Sequence, residues 1–334
     1  MELKVFKDTV SVQQQLCDLT LEHPVETEIM IPDYLPEIFK IIKSFVTPVV
    51  LQKQVLGGKL TLEGYLRLMV YYQGEEGQNL CPIEQKLPFS KTVELKSANC
   101  SRYHIAVDGE CEYLNVRAIN QRRIDVKGAY AFHTVVSGEV EQEIITALSG
   151  SGIQSKSTEL DTTRIVADLE KQFTVDDSLD CEPPPDTVLY TQCSGSVAEI
   201  KLVSGKAVVK GNLHLLVAYR AEAGDATLHV QKDLAFNQIV DVENLTDDCE
   251  CTARIQPTGC SITTGSEGGH GVAVSVSAVI SLLAFKESLI YAVSDAFSTS
   301  YQAEVQSKTI LTERIVDHFY NTITATATGA LPDA

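Results

Sequence analysis

The chain repeats itself at a fixed distance. Gly58, Lys59, Gly64, Leu66, Leu68, Val70 and Tyr72 return as Gly205, Lys206, Gly211, Leu213, Leu215, Val217 and Tyr219, each 147 positions on. The register holds into the next segment, where Leu87, Phe89 and Val93 become Leu234, Phe236 and Val240. A repeat sets domain size, order and architecture together. A period this long means tandem globular domains rather than a solenoid of short units. The 334 residues divide into a first unit over 1–150, a second over 151–300 and a shorter extension over 301–334. The joint falls near Ser149, Gly150, Ser151 and Gly152.

The repeated segment reads as strand. Lys59 to Tyr72 alternates apolar and other residues, and Ala207 to Tyr219 does the same. Gly64 and Gly211 interrupt the two runs at the matched position, where a bulge, a bend or a close backbone approach calls for glycine. Gly57 with Gly58, and Ser204 with Gly205, precede the runs as hairpin turns. Loops follow at 73–78, 221–225 and 265–271, and further strands at Arg123–Phe132 and Val272–Leu282. Short strands with regular turns predict antiparallel sandwich-like or barrel-like domains. One short helix per unit is also expected. Ile38, Ile41 and Ile42 stand at helical spacing behind Pro36 and Glu37, and Pro185–Leu189 is a weaker second copy.

Each unit has an opening segment, and there are three openings for two bodies. Ile153–Thr158 opens the second unit, and the similar Val305–Thr309 starts another opening. Arg314, Ile315 and Val316 then repeat Arg164, Ile165 and Val166, and Leu331, Pro332 and Asp333 match Ile31, Pro32 and Asp33. A lone strand leaves backbone N–H and C=O groups unpaired and must find a sheet. If each opening pairs with its own body, the C-terminal one is surplus; if each completes the preceding body, the N-terminal one is. A surplus strand either folds back on its own chain or adds to a neighbouring copy, giving head-to-tail growth. The apolar positions expected to make that contact are Val305, Ile315, Phe319, Ile323, Ala325 and Ala327.

No chemistry-bearing cluster stands out. The seven histidines are scattered singly, and none recurs at the matched position. Cys249 and Cys251 are the best metal candidates, being two apart on a strand, with Cys111 taken as the counterpart of one of them. No further ligand pattern accompanies them, so a structural role is the plainer reading. Nine cysteines make a poor disulfide framework and read as small buried hydrophobes, with later oxidative crosslinking the alternative. The Gly-Lys turns lack phosphate-loop spacing. The pairs Asp176–Asp177 and Asp247–Asp248 lack the alternating pattern of a calcium loop and read as solvated turns. No catalytic residue, metal or cofactor is assigned.

Charge narrows the partners. With 27 basic and 45 acidic residues the formal net charge is −18, the wrong sign for nucleic acid or anionic membranes. The most apolar stretch, Val272–Phe285, is broken by serines and is too short to span a bilayer as a helix. The first eight residues do not read as a signal peptide, so synthesis in the cytoplasm is expected. The chain has no tryptophan, which argues mildly against a carbohydrate-stacking surface.

The run Ile31–Ile38 (IPDYLPEI), the strand Gly58–Tyr72 with Leu87–Phe89 behind it, and Ile124–Ala129 (IDVKGA) resemble the SPOCS domain family of endospore-forming bacteria in order and spacing. The resemblance covers nearly the whole chain as two units and a fragment. It implies a non-enzymatic part in spore envelope assembly. Some members of the family carry a C-terminal LysM module that links coat layers, and no LysM-like segment is present in this chain. The expectation is therefore a mainly β, self-associating structural protein of the spore surface, in coat, exosporium or appendage. It would be made in the mother-cell cytoplasm, with itself or other spore-envelope proteins as partners. The alternative is a ligand- or glycan-binding β-module that does not polymerise.

Overall fold

The computed structural model describes residues 3–74, 80–95, 100, 102–221, 227–264, 271–300, 302, 304–310, 312 and 314–315. Among them are twelve strands and no helix. The first six are β1 (Lys4–Met30), β2 (Ile38–Leu56), β3 (Lys59–Gly74), β4 (Leu80–Glu94), β5 (Tyr103–Asn120) and β6 (Arg123–Ser149). The second six repeat the plan: β7 (Ile153–Asp180), β8 (Pro185–Val203), β9 (Lys206–Ala221), β10 (Thr227–Asp241), β11 (Glu250–Thr264) and β12 (Gly271–Ser298). They form four antiparallel three-stranded sheets, ordered β1-β6-β5 and β2-β3-β4, then β7-β12-β11 and β8-β9-β10. In each half the two sheets face one another across a core, the sandwich arrangement.

The repeated strand lies at the centre of each core. Every second residue of β3 points inward, and Leu60, Leu62, Leu66, Leu68, Val70 and Tyr72 are fully buried. In β9 the matched Ala207, Val209, Leu213, Leu215, Val217 and Tyr219 do the same. Burying one such aliphatic side chain contributes about 1.5–3 kcal/mol, so alternation alone fixes which face each strand turns inward. Gly64 and Gly211 take their places in these inward series. A Cβ on Gly64 would run into the Val49 carbonyl oxygen and the Phe89 ring; on Gly211 it would meet the Ser196 carbonyl and the Phe236 ring. Each partner also lies 147 positions on, so close backbone approach is the shared reason for glycine. The turns behave alike: Gly57 and Gly58 both have positive φ, as do Ser204 and Gly205, the requirement of a two-residue turn matched to strand twist.

The expected helices are strands. Pro36–Ser44 leads into and forms the start of β2, and Pro185–Leu189 opens β8. The helical spacing of the isoleucines has another cause. β2 shifts register between Ile38 and Lys40, between Ile41 and Lys43, and between Val50 and Gln52. β8 shifts at Pro185/Thr187, Val188/Tyr190 and Val197/Glu199, the same three places 147 positions on. Each bulge adds one residue and carries an apolar side chain back to the inner face out of alternation. Ile38 is thus buried while Ile42 is exposed. The preceding run, Ile31–Ile38, is a crossover between the two sheets. Arg122 pins it: Nη1 donates to the carbonyls of Pro32 (3.1 Å) and Leu35 (2.7 Å), and Nε to Glu37 (3.3 Å). The buried Tyr72 hydroxyl donates to the Pro36 carbonyl at 3.0 Å.

The pairing of the openings is resolved in favour of their own bodies. β1 pairs along β6 from Lys4 opposite Ser149 to Met30 opposite Arg123. β7 pairs along β12 from Ile153 opposite Ser298 to Asp180 opposite Gly271. Both openings are edge strands, and the C-terminal opening is the surplus one.

Candidate functional site

The described part of the surplus opening, up to Ile315, lies over the seam where the halves meet. The turn at 150–152 joins β6 to β7, closed by Ile153 N–H donating to the Gly150 carbonyl (3.2 Å) and Thr299 N–H to that of Gly152 (2.7 Å). Along the seam, Val12 of β1, Ile144 of β6 and Ile290 of β12 form a small buried cluster, and Ile310 packs on it. Ile165 of β7 and Leu283 and Phe285 of β12 form a second cluster, capped by Ile315. Polar contacts fix the register. Ile315 N–H donates to Thr163 Oγ1 (2.9 Å), Arg314 pairs with Asp161 (3.0 Å), and Lys308 Nζ donates to Gln142 (3.3 Å). None of the described residues from 304 to 315 belongs to a strand.

This docking is weak by construction. It rests on two partly buried isoleucines, worth about 1–2 kcal/mol each at partial burial. The exposed Arg314–Asp161 pair adds at most about 1 kcal/mol. β1 and β7, by contrast, are held by full hydrogen-bond ladders of 27 and 28 residues. The described residues of the third opening, from 304 to 315, have the attachment of a strap.

Of the residues expected to make the assembly contact, Ile315 is placed in the second cluster and Val305 is exposed. Phe319, Ile323, Ala325 and Ala327 lie outside the described residues, as do the loop segments 75–79, 222–226 and 265–270. The receiving residues Gln142, Asp161 and Thr163 escape sequence reading, since nothing in the pattern marks a polar residue at a strand edge as a docking partner. Arg314 had one signal. It repeats Arg164, which pairs with Glu139 at 3.3 Å on the same seam.

On its other flank the seam opens into a cleft of about 810 Å³. One wall is the outer face of β2 and β3 with part of β5; the other comes from β7, β8, β11 and β12. Three side-chain contacts to carboxylates cross it: Lys53 to Glu170 (3.0 Å), His104 Nδ1 to Asp168 (2.6 Å) and Arg254 to Asp108 (2.9 Å). Phe45 stacks on Tyr71 in an adjoining pocket, and Tyr190 meets both edge-on, with centroids 5.8–6.1 Å apart. Burial pushes the Tyr71 hydroxyl up to about 12 and the Cys193 thiol up to about 12, the latter helped by Cys260 alongside. These groups stay protonated at neutral pH, which suits packing rather than nucleophilic work.

The cysteine pair is differently arranged from expectation. Cys249 precedes β11, its N–H donating to the Thr246 carbonyl at 3.1 Å, so the two thiols do not share a regular strand. Burial raises the Cys251 thiol to about 11, with Cys249 adding to the shift. Among the described residues no three His, Cys, Asp or Glu side chains gather as a metal site. Nor is Cys111 the counterpart of Cys251. With β6 and β12 beginning 148 residues apart, Ile105 opposite Val136 matches Cys251 opposite Ala284.

Residues 37–119 and 185–264 each match the family model described as SipL, SPOCS domain. The chain is a SPOCS-domain protein with two units in tandem. The matched regions span β2–β5 and β8–β11, so the long openings β1 and β7 and the closing strands β6 and β12 flank the matched segments. No curated protein and no solved structure matches the chain. Among the described residues, no helix is long and apolar enough to cross a membrane.

Proposed function

We propose that this protein is a non-enzymatic structural component of the bacterial spore surface that self-associates by strand addition. The SPOCS match supports a role in sporulation. One observation supports the assembly reading: two openings are paired in full within their own units, while the described residues of the third, up to Ile315, are held by side chains and a single backbone N–H. A chain that satisfies its unpaired backbone on a neighbour's sheet edge gains a hydrogen-bond ladder that the strap does not supply. Head-to-tail contacts of this kind build filaments or layers where the rotation between copies does not close a ring. The partners are other copies of the chain or other spore-envelope proteins. Synthesis is in the mother-cell cytoplasm, with deposition on the coat, exosporium or an appendage.

Sedimentation velocity over a protein concentration series tests this. The full chain is expected to form larger species as concentration rises, and the chain lacking Val305–Ala334 to remain a single species. A truncated chain that associates as strongly as the full one would refute strand addition by this segment. A second reading, a ligand-binding module, draws on the cleft between the halves.

A further inference from the structure

Arg67 projects from the outer face of β3 into the cleft, where it lines both the main space and an adjoining pocket of about 300 Å³. Its Nε is buried and has no hydrogen-bond partner among the described residues. A buried guanidinium N–H left unmet is costly, because the group loses water without gaining an acceptor. The three other basic residues lining the cleft each face a carboxylate of their own: Lys53, His104 and Arg254.

The second unit shows what partners a basic residue at this place. The residue 147 positions on from Arg67 is His214, whose Nδ1 lies 2.7 Å from Asp233, its cross-strand neighbour on β10. In the first unit the cross-strand neighbour of Arg67 is Lys86, the residue matched to Asp233. Lys86 turns onto the Tyr65 ring, 4.9 Å from its centroid. The fold therefore provides a seat for a carboxylate beside position 67, and the first unit has replaced the internal acid with a second cation. The adjoining pocket adds an apolar wall of Phe45, Met69, Tyr71 and Tyr190. Glu84 also lines it, which disfavours a ligand with two negative charges.

We propose that the cleft between the halves binds a small monocarboxylate, its carboxylate on Arg67 and its apolar or aromatic body against Tyr71 and Tyr190. This stands apart from self-association: the described residues of the third opening dock on β1, β6, β7 and β12, whereas Arg67 and Lys86 lie on β3 and β4.

Benzoate is a suitable probe, with benzamide as its neutral counterpart and inorganic phosphate as a competing oxyanion. In calorimetric titrations of the full chain, benzoate is expected to bind and benzamide to bind much more weakly. Arg67→Gln should weaken benzoate by about tenfold or more, the loss of one charged hydrogen-bonding partner. Lys86→Asp should weaken it comparably while leaving Arg67 in place, by restoring an internal acid like that of the second unit. This variant also guards against a trivial loss of fold, because it removes a like-charge pair and should melt no lower than the parent. Failure of benzoate to bind at tens of millimolar, equal binding of benzamide, tighter binding of phosphate, or unchanged affinity in either variant would each overturn the proposal. None of these results bears on sedimentation of the full chain.

Discussion

The two halves share a skeleton nearly residue for residue, yet they differ where their faces meet other things. Bulges, the inward glycine and its covering phenylalanine recur at one spacing, because each solves a backbone problem that the sandwich cannot avoid. The outer face of the central strand has diverged. In the first half it carries Tyr65, Arg67, Met69 and Tyr71, partly covered by the second half. In the second half it carries Asn212, His214, Leu216 and Ala218, with His214 exposed. The comparison teaches that the seam, rather than the core, is where this chain acquired its particular character.

The largest effect should come from the shared glycines. Gly64→Val and Gly211→Val each force a side chain against a backbone carbonyl, which the sheet can relieve only by moving a strand. Each is expected to cost about 3 kcal/mol or more, read as a drop in the denaturant midpoint. A much smaller cost in one half alone would show that the two sandwiches are not equivalent at their centres.

A smaller effect separates the cores. His23 packs on Phe89 with centroids 6.0 Å apart, where the second half packs Phe173 on Phe236 at 5.0 Å. His23 Nδ1 is buried without a partner, and burial, with Lys91 nearby, lowers its pKa from 6.5. A folded-state pKa below the unfolded value means that the unfolded chain takes up the proton first. The stability tied to neutral His23 is therefore complete above pH 6.5 and declines as pH falls from there through the lower folded-state value. His23→Phe should raise stability by about 1–2 kcal/mol near neutral pH by removing the unmet nitrogen. It should also flatten the decline below pH 6.5, measured as the melting temperature across pH 4.5–7.5. An unchanged slope would place the titration elsewhere.

Much of this was legible in the sequence, for a definite reason. Alternation over Lys59–Tyr72 and its copy reports inward faces directly, so strand, sandwich and repeat all follow from one pattern. The helix expected at Ile38–Ile42 is a strand: two bulges three residues apart, at Ile38/Lys40 and Ile41/Lys43, imitate helical spacing. The partners of the openings could not be read, since a strand's pattern says which face is buried but not which edge it joins. The seam was invisible for a similar reason: Asp161, Thr163 and Arg67 are isolated polar residues whose meaning depends on a neighbour far away in the chain.

Smaller still is the cross-strand charge at the outer face. Lys86→Asp should stabilise the first half by about 0.5 kcal/mol, since it replaces like charges opposite one another with an ion pair while giving up the contact with Tyr65. Asp233→Lys should destabilise the second half by a similar amount, because it removes the carboxylate that faces His214 across the strands. Opposite signs in paired melting curves would confirm that the two faces follow one rule; equal signs would break the correspondence. Arg314→Glu should alter global stability by only a few tenths of a kcal/mol, yet it sets a repulsive charge against Asp161 and Glu287 and should speed proteolytic cleavage within 305–315.

Hydrogen–deuterium exchange of residues 305–330, followed at low and high protein concentration, reaches the surplus opening most directly. If the opening finds its missing ladder on another copy, its amides should become protected as concentration rises while those of β1 and β7 stay unchanged. Protection that is the same at every concentration would mean that the third opening is served within its own chain, and the assembly reading would be wrong.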